Sequence, residues 1–336
     1  QKQDFTVLGV GDMSGDVFGN ALLLSPHIKL IGAFNHRHIF VDPNPNPATG
    51  FDERKRLFEL PRSSWNDYQG KLISRGGGVF DRQAKSLALS AQIKKRLQIT
   101  KSRVTPNELI KALLGAQVDL LWFAGIGTYV KSSDESDAEV GDRANDAVRV
   151  DVPALRCRVI GEGANLGVTQ PARIEFALSG GRVYTDFIDN SAGVDCSDHE
   201  VNIKLLLDQL VGAGGITLKQ RNALLARMTG EVAELVLKDN YLQSQAVNLI
   251  DANRLRVFGN QVRLMRLLEK KGRLNRELEF LPDDETLGER AAAKQGLTAP
   301  EISVLMCYSK IWLYDELLQS DLPDDPYLAA DLVRYF

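Results

Sequence analysis

The stretch Phe5-Thr-Val-Leu-Gly-Val-Gly-Asp-Met-Ser-Gly15 decides the fold of this chain. It begins as a short apolar run that ends in glycines, which is typical of a strand buried on both faces. The spacing of apolar residues then becomes helical over residues 13–24, and Pro26 follows to end the helix. Residues 28–34 form a second apolar run. Together these segments predict a strand–helix–strand unit of the length that a right-handed parallel crossover needs.

Strand and helix patterns continue to alternate as far as residue 188. Thr105-Pro-Asn-Glu108 has the capping-box pattern, with Pro106 suited to the first helical position, so a helix should run from there to about Gly115. This alternation predicts an α/β fold with a Rossmann-like, doubly wound parallel sheet. Further strands are predicted at residues 39–41, 118–123, 157–160 and 183–188.

The pattern changes after Ser197. Helical periodicity dominates from Val201 onward, and Thr298-Ala-Pro-Glu301 is a second capping signal. Residues 132–142 are acidic and polar, which predicts a surface loop. We therefore expect a nucleotide-binding domain over residues 1–200 and a mostly helical region over residues 201–336.

Composition excludes several classes of function. The chain has 336 residues and a formal charge of -3, which gives no basic surface for nucleic acid. Its most apolar stretch, residues 109–130, is interrupted by Lys111, Gln117 and Asp119, so no membrane span is expected. The three cysteines are widely spaced and odd in number, and no signal peptide is visible. These features indicate reduced thiols and a cytoplasmic protein.

The glycine-rich turn after the first strand is suited to a pyrophosphate. Gly9 would make the tight turn, and Gly11 would remove the side chain that blocks the phosphates. The helix that begins near Met13 would offer free N–H groups and its positive dipole end, and Ser14 or Gly15 is the third, small position. We therefore expect Gly9, Gly11, Asp12, Met13 and Ser14 to contact a dinucleotide. The alternative is a tight turn with no ligand.

The end of the second predicted strand leaves the choice of dinucleotide open. An acidic residue usually holds the adenosine ribose there, and this chain has Asn35-His-Arg37 instead. Asn35 could bond a ribose hydroxyl, whereas His36 and Arg37 could meet a 2′-phosphate. His36 and His38 would share one face of a strand, but no Cys or carboxylate has matching spacing, so no metal site is expected.

Two further turns follow predicted strands. In Ala124-Gly-Ile-Gly-Thr128, Gly125 would allow close backbone approach, and Thr128 could hydrogen-bond a ligand. In Glu162-Gly-Ala-Asn165, Asn165 offers a donor and an acceptor, and Glu162 could brace the loop. From the residues alone, each turn could equally be structural.

Asn190-Ser-Ala-Gly-Val-Asp-Cys-Ser-Asp-His-Glu200 completes a set of motifs. Its Ser197-Asp-His-Glu200 portion is also a capping box. With the glycine-rich turn and Glu162-Gly-Ala-Asn165, in this order, it resembles the amino-acid dehydrogenases, in particular the large NAD-specific glutamate dehydrogenases of bacteria. The sequence departs from the family pattern at Ala192, where the smaller enzymes commonly have glycine.

The resemblance implies NAD as cofactor and the oxidative deamination of L-glutamate to 2-oxoglutarate and ammonia. It places Thr128 and Asn165 beside the nicotinamide riboside, Asn190 on the cofactor side and Ser197 on the side-chain carboxylate of glutamate. It also implies a homo-oligomer for the full-length protein. The family's catalytic lysine and carboxylate are expected upstream of this chain, and Lys71 does not take that role because it follows the first nucleotide-binding strand.

The start at Gln1 and the stop at Phe336 suggest an excised piece of a longer protein, which we expect to be inactive alone. Two alternatives stay open at this point. One is a non-catalytic dinucleotide-binding or regulatory module. The other is a dehydrogenase of another amino acid, although the polar Ser197 argues against an apolar substrate side chain.

Overall fold

The structure is a computed structural model that describes residues 2–331. It divides between Asp186 and Phe187 into two compact units. The strands of the described chain all lie in the first unit: β1 (Phe5–Val10), β2 (Ile28–Phe34), β3 (His38–Val41), β4 (Gly78–Asp81), β5 (Leu87–Ala88), β6 (Arg103–Val104), β7 (Leu120–Phe123), β8 (Val130–Lys131), β9 (Val150–Asp151) and β10 (Val159–Glu162).

The first unit also contains six complete helices, and a seventh begins at its last residue. The helices of both units, in chain order, are α1 (Asp16–Leu23), α2 (Pro47–Glu59), α3 (Ala91–Leu97), α4 (Pro106–Leu114), α5 (Asp137–Val140), α6 (Gln170–Leu178), α7 (Asp186–Asp189), α8 (Ser191–Gly212), α9 (Leu218–Ala252), α10 (Arg254–Lys270), α11 (Asp284–Ala292) and α12 (Ala299–Leu318).

The main sheet has six strands in the order β10-β7-β1-β2-β3-β4. Strands β10, β7, β1 and β2 are parallel. The chain builds outward from β1 first through β2 and then through β7 and β10 on the other side, so the strand order reverses between β1 and β7. This confirms the predicted doubly wound α/β fold. Strand β3 is antiparallel to β2 because only residues 35–37 separate them, too few for a crossover.

Both faces of this sheet are buried, as the continuous apolar runs predict. One core contains Leu8 and Val10 of β1 together with apolar residues of α3, α4 and α6. The other contains Val7 of β1 with residues of α1 and α2. Alternate residues of one strand thus enter different cores, since successive side chains of a strand point to opposite faces.

Helix α1 packs closely on α2 at Gly19. A Cβ atom at this position would lie 2.3 Å from Phe58 Cδ2 and 2.4 Å from the Met13 carbonyl oxygen. Both distances are far below van der Waals contact. The close packing that the sequence assigned to Ser14 or Gly15 therefore occurs at Gly19, whereas Ser14 is exposed.

Three predicted elements within residues 13–188 need correction. The first helix begins at Asp16, three residues later than expected, because residues 13 and 14 form the turn. The predicted strand at residues 183–188 is wrong: only Arg182 makes a bridge, to Val159, and the chain then turns into α7. The acidic stretch at residues 132–142 contains the short helix α5.

The regular elements of the second unit are all helices in its described residues, which confirms the mostly helical character predicted for this region. The boundary expected at 200/201 falls within α8. The Thr298 capping box is confirmed, and its Glu301 also binds the Arg290 guanidinium at 2.7 Å and 2.9 Å. In the described part of the chain, no helix combines the length and apolar composition needed to cross a membrane.

Gly19 gives a test of the packing between α1 and α2. We expect Gly19→Ala to lower the free energy of unfolding by about 1–3 kcal/mol, because the methyl group has no space. Gly230→Ala is the matched control, since Gly230 lies in α9 with no atom within 4 Å of the added Cβ. That substitution should be neutral or stabilising by up to ~1 kcal/mol. Urea denaturation followed by circular dichroism measures both; equal effects would contradict the packing described here.

Candidate functional site

Three turns meet at the carboxyl ends of β1, β7 and β10. The Ala124 N–H, after β7, donates to the Val10 carbonyl of β1 at 3.0 Å. The Gly163 N–H, after β10, donates to the Phe123 carbonyl of β7 at 2.7 Å. A Cβ on Gly163 would lie only 2.6 Å from Val17 Cγ1 of α1. The glycine-rich turn, the turn at residues 124–128 and the turn at residues 163–167 are thus adjacent at the point where the strand order reverses.

Phe18 explains why residues 9 and 11 are glycines. A Cβ atom at Gly9 would lie 2.5 Å from Phe18 Cε2, and one at Gly11 would lie 2.5 Å from Phe18 Cδ2. Gly11 also has a φ of 152°, which side chains rarely allow. The space beside both glycines is filled by Phe18, rather than kept clear for phosphates as expected. Trp65 Nε1 then donates to the Gly11 carbonyl at 3.0 Å, a long-range contact that the sequence did not indicate.

The N-terminus of α1 follows this turn directly. Gly15 is the N-cap residue, and no side chain caps the helix. The first-turn N–H groups therefore have no side-chain acceptor, which is the arrangement that binds phosphate oxygens. Asp16 brings a negative charge into the first turn, which stabilises the helix but opposes a bound anion. The Met13 side chain is fully buried in the core, so only its backbone is placed to meet a ligand.

Asp12 and Asn35 join the glycine-rich turn to the end of β2. Asn35 Nδ2 donates to Asp12 Oδ2 at 2.7 Å. Asn35 Oδ1 accepts from the N–H groups of Arg37 at 2.8 Å and His38 at 2.7 Å. The Asn35 side chain is therefore committed to internal bonds. Burial raises the pKa of Asp12, against the hydrogen bond from Asn35, and Asp12 Oδ1 is buried without a hydrogen-bond partner.

Exposed apolar side chains surround the same edge of the sheet. Ile126, in the turn after β7, is 96% exposed, and Leu166, in the turn after β10, is 64% exposed. Val17, in the first turn of α1, is 46% exposed. Apolar side chains grouped beside polar turns are typical of ligand sites, where the ligand covers them.

A buried arginine holds the turn at residues 124–128. Arg149 Nε donates to the Thr128 carbonyl at 3.0 Å, and its Nη1 binds Asp137 and Asp146, each at 2.7 Å. The Thr128 N–H donates to Asp142 Oδ2 at 2.8 Å. The acidic stretch thus supplies carboxylates for Arg149. Gly125 fits closely as well, since its Cβ would lie 3.2 Å from Val10 Cγ1.

A second buried arginine lies under the turn at residues 163–167. Arg173 Nε and Nη2 bind both carboxylate oxygens of Glu162, at 2.7 Å and 2.9 Å. Glu162 therefore braces the loop, while Asn165 is exposed. Neither Arg149 nor Arg173 was found from the sequence, because their contacts depend on how the intervening loops fold and no local pattern marks them.

Asn190 and Ser197 belong to the second unit. Asn190 is the N-cap residue of α8. Ser197 lies inside this helix, and its Oγ donates to the Gly193 carbonyl at 3.1 Å. The predicted capping box at Ser197 is therefore wrong: the helix begins at Ser191, so Ser197 has no helix N-terminus to offer an anion. Among residues 2–331, no three His, Cys, Asp or Glu side chains are grouped so as to hold a metal ion.

Comparison with known proteins agrees with the motifs. The family model described as bacterial NAD-glutamate dehydrogenase, catalytic domain, matches residues 1–250. The chain belongs to this family. A second model, glutamate dehydrogenase, C-terminal, matches residues 294–336. The resemblance found from the motifs is thereby confirmed.

Curated relatives match the chain over its whole length. NAD-specific glutamate dehydrogenases of Halomonas elongata and Pseudomonas aeruginosa are 57% and 58% identical over 336 residues. That of Mycobacterium tuberculosis is 54% identical over 342 residues. In each case the match covers 100% of this chain and 21% of the relative, so the chain spans about a fifth of their length.

A solved glutamate dehydrogenase of Plasmodium falciparum is also similar, with 16% identity and a TM-score of 0.34. The match covers 56% of this chain and 31% of that one. A TM-score of this size does not support an argument from that structure.

The raised pKa of Asp12 predicts how the stability of the chain depends on pH. Because burial raises its pKa above the unfolded value, the folded chain takes up its proton more readily than the unfolded chain. The cost of the buried carboxylate is therefore fully present at neutral pH and disappears as the pH falls through the raised pKa. Asp12→Asn keeps an oxygen for Asn35 without the charge. We expect it to be more stable than the unmodified chain at neutral pH, with the difference shrinking in acid.

Thermal denaturation over a pH series measures this difference. Asp16→Asn is the control, because the exposed Asp16 carboxylate interacts favourably with the helix dipole and its removal should give no gain. A loss of stability in Asp12→Asn at neutral pH would mean that the buried carboxylate is stabilising.

Proposed function

We propose that this chain supplies the dinucleotide-binding part of an NAD-dependent glutamate dehydrogenase. The full-length enzyme would oxidise L-glutamate to 2-oxoglutarate and ammonia. The observation that carries the proposal is the meeting of three turns at the reversal point of the sheet, beside an α1 N-terminus without a side-chain cap. Membership of the family supports the choice of NAD and glutamate.

The residues of the first unit fit a dinucleotide that lies across this edge. The backbone of residues 11–15 and the first turn of α1 would hold the pyrophosphate. The adenosine half would lie towards the end of β2. There the Asn35 side chain bonds Asp12 and is therefore not available to the ribose. The other half would lie towards β7 and β10, beside Gly125, Thr128 and Asn165. When bound, NAD supplies the hydride acceptor.

The chain's own part is to bind, orient and exclude water. Val17, Ile126 and Leu166 would lose water contact against the bound ligand, which contributes affinity and dries the site. Arg149 fixes the turn at residues 124–128 through its bond to Thr128, and would not touch the ligand. We assign no proton transfer to any residue of this chain.

In the second unit, the motif match supports Asn190 on the cofactor side and Ser197 as a residue that binds the side-chain carboxylate of glutamate. The nucleotide-binding role is assigned to the first compact unit, and the helical region would follow it as a separate domain. We further propose that the full-length protein is a cytoplasmic homo-oligomer.

Calorimetric titration with NAD and NADP tests the cofactor. We expect NAD to bind more tightly, because the Asp12 carboxylate, which accepts a hydrogen bond from Asn35 at the end of β2, would repel a 2′-phosphate. Gly11→Ala should abolish binding, since its Cβ would lie 2.5 Å from Phe18 Cδ2. Gly78→Ala is the control in the same unit, with no atom within 4 Å of the new Cβ, and should bind normally. Failure of the folded, unmodified chain to bind NAD would overturn the proposal.

The chain alone should not turn over glutamate. We expect no NADH when the purified chain is mixed with L-glutamate and NAD, because none of its residues is assigned to proton transfer. The assay follows NADH absorbance at NAD concentrations that the titration shows to be saturating. Sustained glutamate-dependent NADH formation would show that the chain contains its own catalytic groups.

A further inference from the structure

Glu162, Arg173 and Asp186 form a buried charge cluster under the turn at residues 163–167. Arg173 binds Glu162 through two nitrogens, at 2.7 Å and 2.9 Å, and its Nη2 lies 3.3 Å from Asp186 Oδ2. The Arg173 side chain is 5% exposed, and those of Glu162 and Asp186 are 0% and 10% exposed. Removing three charged groups from water is costly, so such a cluster needs close pairing to persist.

Both carboxylates also bind the backbone of the turn. Asp186 Oδ2 accepts from the Leu166 N–H at 2.8 Å, and Glu162 Oε1 accepts from the Val168 N–H at 3.1 Å. Leu166 has a φ of 62°, in the left-handed region that leucine rarely adopts. A conformation of this kind persists only where its surroundings hold it. The two acceptors, fixed in turn by Arg173, hold it here together with the Gly167 carbonyl, which accepts from the Tyr129 and Val130 N–H groups.

The turn so held presents its exposed residues at the ligand edge. Asn165 and Leu166 are exposed, whereas Glu162 and Val168 on either side are fully buried. The turn is hydrogen-bonded to the end of β7 through Gly163. It therefore lies on the side of the reversal point opposite to β2. In a doubly wound sheet, a dinucleotide with its adenosine near β2 places its other half on this side.

We propose that Arg173 is a positioning residue for dinucleotide binding. Its buried guanidinium fixes Glu162 and Asp186, and these fix the turn so that Asn165 and Leu166 meet the nicotinamide half of the ligand. Arg173 itself touches no ligand. The planar guanidinium can bond Glu162 at two points and reach Asp186 at once, which a lysine ammonium cannot do from one position. This inference rests on the proposed function.

A split between NAD and AMP affinity tests the inference. We expect Arg173→Lys to weaken NAD binding about tenfold, as for the loss of one good contact, and to change AMP binding by less than about twofold. AMP lacks the nicotinamide half and so reports the adenosine side alone. Arg290→Lys is the matched control, because Arg290 also makes a buried pair, through its Nη1 atom, with Glu301 in the second unit. It should leave both affinities unchanged.

The outcomes separate positioning from general stability. Equal weakening of NAD and AMP by Arg173→Lys would indicate a merely structural role and overturn the inference, as would unchanged NAD binding. Melting temperatures of both variants show whether each is folded under the titration conditions.

Amide hydrogen exchange tests the same inference without a ligand. In Arg173→Lys we expect faster exchange at Leu166 and Val168, with the amides of β1 and β7 unchanged. Unaltered protection at Leu166 and Val168 would overturn the positioning role. If the unmodified chain fails to bind NAD, the proposed function fails, whereas the exchange result still decides whether Arg173 fixes the turn.

Discussion

The contact of Phe18 with Gly9 and Gly11 determines the geometry of the site. An aromatic ring against two glycines brings α1 closer to the end of β1 than any side chain at those positions would permit. Because α1 is that close, its first turn reaches Gly163 beyond β10, and its N-terminus lies at the reversal point of the sheet. Trp65 supports the arrangement through the Gly11 carbonyl. The parallel pairing of β10, β7 and β1 brings the three turns together, and the Phe18 contact places the N-terminus of α1 beside them.

Buried arginines stabilise the turns at residues 124–128 and 163–167. Arg173 binds the carboxylates that accept from the backbone N–H groups of the turn at residues 163–167 and of Val168. Arg149 donates to the Thr128 carbonyl, and its guanidinium lies 4.0 Å from the Asp142 carboxylate that accepts from the Thr128 N–H. A turn without regular hydrogen bonds is thereby given defined partners. Removing Arg173 would leave the buried Glu162 carboxylate without its main counter-charge, which costs far more than the loss of an exposed ion pair. The Asp137 and Asp146 partners of Arg149 are partly exposed, so the loss of Arg149 would cost less. The turns at residues 124–128 and 163–167 are thus each supported by a buried guanidinium.

What the sequence predicts well is local. The β1–α1–β2 unit and the capping boxes at Thr105 and Thr298 depend on residues a few positions apart, so a single segment contains the whole signal. The prediction at Ser197 was wrong because a serine inside a helix can donate to the carbonyl four residues earlier as readily as it can cap. Residues 183–188 have the β-branched and aromatic composition of a strand, but Asp186 is bound to Leu166 and Arg173. Contacts between residues far apart in the chain, such as Trp65 with Gly11, leave no periodic trace.

Gly9 and Gly11 look equivalent in the sequence, yet the two positions should tolerate substitution differently. Gly9 is restricted mainly by Phe18, since the other close atom, the Trp122 carbonyl oxygen, would lie 3.3 Å from an added Cβ. Alanine therefore becomes possible there once Phe18 is replaced by a smaller residue, and the two changes would be strongly non-additive. Gly11 is restricted by its own backbone, and no change at Phe18 releases it. We therefore expect the residues at positions 9 and 18 to co-vary among sequences that evolve from this one, while position 11 remains glycine.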